Sequence, residues 1–330
     1  MTVLQALILG IVQGFTEFLP VSSSGHLVLL PEFFNIPAPA LGFDILLHVA
    51  TLVAVFGYFI RDISKMVVAL VAPRRMAPER ARYWRRLFLW LVIGSVPAGI
   101  AGVVFAKFFE GLFTSTMSVG IFLMVTGFLL WGADIALSRT AQEAVASEPA
   151  GVATERRSYR HVSDATETSP ATGNRDATEP SPVSGGRGVN EPAVWSPVRR
   201  RLRGLESMRA VDALVVGCFE ALAIAPGLSR SGATISAGVY LGFDRQTAAR
   251  FSFLLSIPAI LGAALVHVKD IGGAFTGATG GAYAVGAVAA LVSGLIAVFF
   301  MMGYLRRHRL RLFAVYTLLL GAFVVVLSAV

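Results

Sequence analysis

Residues 10–26 read GIVQGFTEFLPVSSSGH, a stretch that recurs in altered form as GCFEALAIAPGLSRSGA at residues 217–233. Aligned without gaps, the copies pair Gly10 with Gly217, Gln13 with Glu220, Ser22 with Ser229, Ser24 with Ser231 and Gly25 with Gly232. The tetrapeptide LGFD follows each copy, at residues 41–44 and 241–244. Both copies place polar groups in apolar sequence, where they are costly unless something binds them. The repeat therefore predicts two related halves that share one site at their junction.

The composition is that of a membrane protein. Hydrophobic residues make up 55% of the 330 residues and the mean hydropathy is +0.70, well beyond a soluble domain. The first 19 residues are apolar but lack a basic segment and a cleavage site, so we interpret them as mature structure. Six apolar stretches are long enough to cross a hydrocarbon core of about 30 Å. They cover residues 43–60, 87–106, 117–137, 251–268, 284–303 and 312–329.

The formal charge of +8 is explained by the loops between these stretches rather than by a nucleic-acid partner. Lys and Arg concentrate in residues 61–86, 139–209 and 306–311. This pattern predicts that the three segments are cytoplasmic and contact anionic membrane lipids. We therefore expect a multi-pass protein of the plasma membrane that binds no nucleic acid. The single cysteine, Cys218, excludes a disulfide within the chain, and soft ligands are too few for a structural zinc site.

Counting crossings between the basic segments predicts the topology. Residues 1–42 and 211–250 must each enter the membrane and return to the side from which they came. We therefore expect an all-α polytopic membrane protein with six transmembrane helices and two re-entrant helical hairpins, arranged as an inverted repeat. The first repeat covers residues 1–138 and the second covers 210–330. Residues 139–209, rich in Ser, Thr, Pro, Gly, Glu and Arg, are predicted to be a disordered cytoplasmic linker.

The first copy of the motif carries groups for acid–base and nucleophilic chemistry. Gln13 and Glu17 lie four residues apart, so they share one face of a helix, which Pro20 ends. The next residues can present hydroxyls and backbone N–H groups to an anion; they are Ser22, Ser23, Ser24, Gly25 and His26. The alternative interpretation places Glu17 at a helix end near the membrane surface and uses the serines only to satisfy the backbone.

The second copy adds a positive charge. Arg230 lies between Ser229 and Ser231 and is followed by Gly232 and Thr234. A guanidinium combined with hydroxyls and exposed amides is the usual recipe for binding phosphate. The alternative is that Arg230 is a charge that only sets topology.

Three further polar residues are candidates for a supporting role. Asp44 and His48 are four residues apart at the start of a span. They form either a carboxylate with its partner at a helix start or support for the site. Glu220, opposite Gln13, either adds a carboxylate to the site or is a buried, hydrogen-bonded acid.

At these residues the chain resembles the undecaprenyl-diphosphate phosphatase family of the bacitracin-resistance type. That family carries a Glu/Gln-x-x-x-Glu motif, a Pro-x-Ser-Ser-x-Gly-His turn and a Pro-Gly-x-Ser-Arg-Ser-x-x-Thr motif. The matching residues are Gln13–Glu17, Pro20–His26 and Pro226–Thr234, and Phe251–Ala263 is also similar to the family. The resemblance covers nearly all the chain apart from about 139–209.

The resemblance implies hydrolysis of a polyprenyl diphosphate to the monophosphate, which recycles the lipid carrier of cell-wall sugars and confers bacitracin resistance. It assigns Arg230 to the phosphates, with Ser229, Ser231 and Thr234 as additional donors. Ser23 is the first candidate nucleophile, and His26 is its base or the alternative nucleophile.

The same resemblance implies a hard metal ion, Mg²⁺ or Ca²⁺, because the ligands are oxygens. Glu17 is expected to be either the metal ligand or the base. Gln13 stands where some members carry a glutamate, so it is a weaker candidate ligand than Glu17. We expect the site to face the outer side of the membrane, with the isoprenoid tail between the spans.

Two other functions are compatible with parts of the sequence. A polyprenyl-phosphate transporter or flippase also uses inverted repeats with re-entrant hairpins. The phosphatidic-acid-phosphatase type 2 superfamily uses similar turns, but it requires a histidine where this chain has Ser236 and a Lys-x₆-Arg-Pro element that this chain lacks. The sequence is also compatible with a homodimer.

Overall fold

The computed structural model describes residues 1–36, 39–146, 202–270 and 279–329, and it is built from helices and short connections. No β-strand occurs in these residues; Arg203 and Phe243 form a single parallel bridge. The expected all-α class is confirmed. The α-helices are α1 (Val3–Phe18), α2 (Ser23–Phe33), α3 (Leu41–Val71), α4 (Pro78–Val104), α5 (Ala106–Phe113), α6 (Thr116–Ala146), α7 (Ala210–Leu222), α8 (Arg230–Tyr240), α9 (Arg245–Val266), α10 (Gly280–Arg307) and α11 (Arg311–Ala329). Short 3₁₀ turns occupy Pro73–Arg75 and Leu205–Ser207.

Six helices of the described chain are long and apolar enough to cross a membrane: α3, α4, α6, α9, α10 and α11. Each overlaps one of the six apolar stretches of the sequence, which confirms the prediction of a multi-pass membrane protein. By contrast, α1 has 16 residues, α7 has 13 and α8 has 11. At 1.5 Å per residue, even α1 extends only about 24 Å, which is shorter than a hydrocarbon core of about 30 Å.

Two of the short helices pack with their backbones close to a span of the other half. A side chain at Gly10 of α1 would collide with the backbone of Gly286 in α10. In the same way, a side chain at Gly217 of α7 would collide with the backbone of Gly94 in α4. Small residues at such contacts let helices approach closely. Because Gly10 and Gly217 are aligned in the repeat, each copy makes a corresponding contact with the other half.

One end of the helix bundle, which we call the basic end, is where α3 ends and α9 begins. Arg250 in the second turn of α9 pairs with Asp62 of α3 at 2.7 Å. The N–H of Arg203, ahead of α7, donates to the carbonyl of Gly242, after α8, at 2.9 Å. Because Gly242 directly precedes α9, α7 begins and α8 ends at the basic end.

The opposite end of the bundle holds the beginnings of α1, α3 and α10. Phe43 of α3 and Tyr283 of α10 lie in one buried apolar cluster, and their rings are 4.6 Å apart. Met1, ahead of α1, and Leu30 of α2 pack against the same cluster. The α1–α2 pair therefore starts and finishes at this end, opposite to the α7–α8 pair.

The predicted linker, residues 139–209, lies only in part within the described residues. Helix α6 continues to Ala146, and residues 147–201 lie outside the described ranges. Residues 202–209 differ from the expectation of disorder: Leu205 and Met208 are buried, and the Met208 carbonyl accepts a hydrogen bond from Trp90 Nε1 at 3.1 Å. Residues 202–209 thus belong to the compact unit formed by Met1–Leu137 and Leu202–Val330, although the sequence predicted that the second repeat begins at residue 210.

Candidate active site

The two copies of the repeated motif meet at one carboxylate. Glu17, in the last turn of α1, is buried, and its Oε1 accepts a hydrogen bond from Nη2 of Arg230, the first residue of α8. The pair joins the two halves of the chain. A buried carboxylate is tolerated when a hydrogen-bonded opposite charge compensates it. The structure therefore brings together the acid and the guanidinium that the sequence analysis assigned to one headgroup.

The second carboxylate oxygen of Glu17 is contacted by polar groups of the first half. Ser23 Oγ donates to Oε2 at 2.5 Å, and Gln13 Nε2 donates to the same oxygen at 3.0 Å. His48 Nε2 lies 3.7 Å from it. The other ring nitrogen of His48 donates to the Asp44 carbonyl at 2.8 Å, which fixes the ring. Together with Arg230 at the other oxygen, these residues surround the Glu17 carboxylate. The four are Ser23, Gln13, His48 and Arg230, all singled out from the sequence.

Ser23 and Arg230 occupy equivalent positions of the repeat. The gap-free alignment places them opposite each other, and each is the first residue of its helix, α2 or α8. In the structure they contact different oxygens of Glu17. The residue aligned with Glu17 is Ile224, so the carboxylate has no counterpart in the second copy.

The turns that precede α2 and α8 have the same hydrogen-bond pattern. In each, a capping serine hydroxyl accepts the N–H of the glycine three residues on and lies close to the hydroxyl two residues on. The Ser22 hydroxyl is 3.2 Å from the N of Gly25 and 3.3 Å from the Ser24 hydroxyl. The Ser229 hydroxyl is 3.0 Å from the N of Gly232 and 3.2 Å from the Ser231 hydroxyl. The positive ends of two helices therefore lie at Ser23 and Arg230, two of the residues that contact Glu17.

His26 lies against the last span rather than against Glu17. Its Nδ1 is 2.7 Å from the Ser22 carbonyl, and its Nε2 is 2.7 Å from the hydroxyl of Tyr316 in α11. The two rings are also stacked, with centroids 5.9 Å apart. Since a carbonyl oxygen can only accept, Nδ1 carries the proton and Nε2 accepts from the tyrosine. Both ring nitrogens of His26 are thus engaged away from Ser23.

Two threonines hold the second turn in place. Thr234, predicted to be a phosphate donor, instead directs its hydroxyl to Ser252 of α9 at 2.6 Å and to the Arg230 carbonyl at 2.7 Å. Thr126 of α6 accepts the N–H of Ser229 at 2.9 Å. Sequence reasoning missed Thr126 and Tyr316, because each is a single polar residue in an apolar span without a motif.

Several buried oxygens near the motif residues have no hydrogen-bond partner within the described part of the chain. They are Gln13 Oε1, Asp44 Oδ1 and both carboxylate oxygens of Glu220. Across the same residues, no group of three or more His, Cys, Asp or Glu side chains could hold a metal. Mg²⁺ is often bound by one or two carboxylates together with substrate phosphates. Glu17 and Gln13 therefore fit a hard cation that binds together with a phosphate, rather than one held by the protein alone.

Comparison with known proteins gives consistent matches over most of the chain. A family model described as bacitracin resistance protein BacA matches residues 6–160 and 192–323. A protein of Moorella thermoacetica is 36% identical over 325 residues, which cover 98% of this chain and 97% of the relative. For Syntrophotalea carbinolica the identity is 35% over 330 residues, with 100% of each chain covered. For Methanothermobacter thermautotrophicus it is 41% over 231 residues, with 70% and 94% covered. All three relatives are named undecaprenyl-diphosphatase.

Proposed function

The chain belongs to the bacitracin resistance protein BacA family, and on this premise we propose that it hydrolyses undecaprenyl diphosphate to undecaprenyl phosphate and inorganic phosphate. The observation that carries the proposal is the Glu17 carboxylate, which contacts a serine hydroxyl at one oxygen and a guanidinium at the other. This arrangement supplies a nucleophile, a base and a phosphate-binding cation at one point. The activity would recycle the lipid carrier of cell-wall sugars and thereby confer resistance to bacitracin.

Ser23 is the proposed nucleophile. Its hydroxyl lies 2.5 Å from Glu17 Oε2, so the carboxylate can take the proton as Oγ attacks the terminal phosphorus. The bond from that phosphorus to the bridging oxygen breaks, the polyprenyl phosphate leaves, and the phosphoryl group remains on Ser23. After Glu17 has released this proton to solvent, it takes one from the water that attacks the phosphoserine. It returns that proton to Ser23 Oγ as the bond from Oγ to phosphorus breaks, which releases inorganic phosphate.

Arg230 is proposed to bind the phosphates and to stabilise the charge that develops during transfer. A guanidinium has five N–H donors, so the bond to Glu17 leaves others for phosphate oxygens. Ser229 and Ser231, which flank Arg230, present hydroxyls at the same turn. Fixed donors of this kind stabilise a transition state because they need no reorganisation during the reaction.

His26 is proposed to position the first turn rather than to attack. Its Nε2, the nitrogen that would act as base or nucleophile, accepts the Tyr316 hydroxyl at 2.7 Å. Its Nδ1 holds the carbonyl of Ser22, the residue that caps α2. The contacts therefore favour Ser23 over His26 as the nucleophile and keep the histidine as a brace for the turn.

A divalent cation, Mg²⁺ or Ca²⁺, is proposed to accompany the substrate. Glu17 is the carboxylate that would hold it, and Gln13 Oε1, buried without a partner among the described residues, is the second oxygen. When bound, such an ion neutralises phosphate charge during transfer. Arg230 is already paired with the Glu17 carboxylate, and the substrate brings two negatively charged phosphates. This excess of negative charge supports the proposal of a cation.

We also propose that the helices form an inverted repeat with two re-entrant hairpins in the plasma membrane. The support is that α1–α2 and α7–α8 are too short to span and start and finish at opposite ends of the bundle. The corresponding contacts of Gly10 and Gly217 agree with this arrangement. The basic end would then be cytoplasmic, and the α1–α2 hairpin would open to the outer side.

The decisive experiment is release of inorganic phosphate from undecaprenyl diphosphate by the purified full chain in detergent, where transport cannot be scored. Ser23→Ala should abolish release, whereas Ser64→Ala, which removes an exposed hydroxyl bonded to the Ile60 carbonyl in α3, should retain it. Phosphate trapped on a peptide that contains Ser23 would identify the nucleophile. Absence of phosphate release by the wild-type chain would refute the proposed hydrolysis and would favour the transporter alternative.

A further inference from the structure

A cavity at the basic end is separate from the residues assigned to hydrolysis. It has a volume of about 670 Å³ and lies where the chain passes from α3 through the turn at Pro73–Arg75 into α4. Four arginines line it, namely Arg74, Arg82, Arg85 and Arg86, together with apolar residues that include Leu89. Among the described residues that line this cavity, none is acidic.

Two of the arginines that line the cavity make contacts with neighbouring residues. Arg85 Nε donates to the Ala69 carbonyl at 2.7 Å, which ties α4 to the end of α3. The guanidinium of Arg86 lies 5.8 Å from the ring centre of Trp90, a cation–π distance. The arginines are therefore concentrated around one open concave surface, and their charge favours an anion there.

The apolar continuation of the cavity indicates which kind of anion fits. Along α4, Leu89, Val92, Val96 and Ile100 are exposed and follow Arg85 at intervals of three and four residues, so they share one helix face. From Leu89 to Ile100 this face extends about 16 Å. That length matches one leaflet of a hydrocarbon core of about 30 Å.

We infer that this cavity binds an anionic phospholipid, with the phosphate headgroup among Arg74, Arg82 and Arg86 and an acyl chain along the exposed face of α4. A free phosphate or a nucleic acid would use the arginines but not the apolar face. A neutral phospholipid would use the apolar face but lacks the net negative charge that four arginines favour. The inference does not depend on the proposed hydrolysis, because none of these residues contacts Glu17 or Arg230 among the bonds described above.

The test is lipid retention by the purified full chain, measured by native mass spectrometry during titration with phosphatidylglycerol or phosphatidylcholine. The variant is R74Q/R82Q, which removes two charges from the cavity. The matched control is R306Q/R307Q, which removes two exposed charges at the end of α10. That position is also at the basic end, since the carbonyl of His308 accepts a hydrogen bond from Arg245 at 2.7 Å.

We expect the wild type and R306Q/R307Q to retain one phosphatidylglycerol molecule more tightly than phosphatidylcholine. A basic residue near an anionic lipid contributes about 1 kcal/mol, so each cavity arginine should change the dissociation constant about fivefold. R74Q/R82Q should therefore bind phosphatidylglycerol about 25-fold more weakly. If the double variant does not fold, R74Q and R82Q are measured singly, and each should show the fivefold loss.

Three results would overturn the inference. Equal losses in R74Q/R82Q and R306Q/R307Q would indicate diffuse surface attraction instead of a site. Displacement of phosphatidylglycerol by millimolar inorganic phosphate would assign the cavity to a soluble anion. Equal retention of phosphatidylcholine and phosphatidylglycerol by the wild type would show that the arginines do not select the headgroup.

Discussion

Replacing Glu17 by glutamine removes a charge and a proton acceptor while it keeps the size of the side chain. In the wild type, Oε1 accepts from Arg230 and Oε2 accepts from Ser23 at 2.5 Å and from Gln13 at 3.0 Å. The amide of E17Q has one accepting oxygen for these three donors. Its NH₂ group must therefore face at least one of them, and it cannot take the proton of Ser23.

The expected loss of rate follows from these contacts. A positioned general base contributes about 10²–10⁴-fold, and E17Q also disturbs the orientation of Ser23. We therefore expect kcat to fall about a thousandfold, which corresponds to a barrier higher by about 4 kcal/mol. KM should rise as well, because the cation proposed to bind with the substrate loses its carboxylate ligand, although Arg230 keeps its charge.

The assay is phosphate release at saturating undecaprenyl diphosphate, with the melting temperature of each purified variant measured in the same detergent. Glu220→Gln is the matched control, since it replaces another buried carboxyl group in a short helix. Both oxygens of Glu220 lack a hydrogen-bond partner among the described residues, so the substitution breaks no hydrogen bond described there, and the melting temperature reports any cost of burying the amide N–H groups. We expect E220Q to keep wild-type kcat. Near-normal turnover by folded E17Q would refute the assignment of Glu17 as base, and equal losses in both variants would show that the assay reports buried charge rather than catalysis.

Three further outcomes are expected. Tyr316→Phe keeps the stacked ring but removes the hydroxyl bonded to His26, so kcat should fall about fivefold, in line with about 1 kcal/mol for a hydrogen bond. When His26→Ala is added, a double-mutant cycle should show a less than additive loss of kcat. Gly217→Ala should lower stability by about 1–3 kcal/mol through overpacking against Gly94, whereas Gly99→Ala, which has open space around it, should not destabilise; thermal unfolding measures both. EDTA should abolish phosphate release, and Mg²⁺ should restore it. Neither should change the melting temperature of the protein without substrate, because the proposed cation binds together with the substrate.

The parts of the molecule that could be predicted from the sequence are those with a local or repeated pattern. The six spans follow from the length and composition of the apolar stretches, and all six have a helix. The approach of Glu17 to Arg230 followed from the internal repeat, since two related copies of a polar motif were expected to share one site. The extent of each helix was less accessible from the sequence. Helix α3 continues to Val71, beyond the apolar stretch that ends at residue 60, but it is kinked at Phe59, where the backbone leaves helical geometry.

Contacts made by single polar residues of the spans could not be predicted. Tyr316 and Thr126 reach the two turns from helices that lie about 100 or more positions away in the sequence, and no motif surrounds either residue. Thr234 belongs to a motif, but the motif does not specify which way its hydroxyl points. The neighbouring helix decides this, because Ser252 of α9 supplies a partner at 2.6 Å.

The proposed inverted repeat explains why this chain would have one active site and not two. Equivalent positions of two repeats can contact the same group only near the axis that relates them, and Ser23 and Arg230 are equivalent positions that both contact Glu17. The capping serines of both turns make the same hydrogen bond to a glycine N–H, although their backbones differ, since φ is 72° at Ser22 and −67° at Ser229. The chemistry is not symmetric, because Ile224 stands opposite Glu17 and the nucleophile stands opposite the cation. One copy thus supplies attack and proton transfer while the other supplies phosphate binding, and neither half alone would have a complete set of groups.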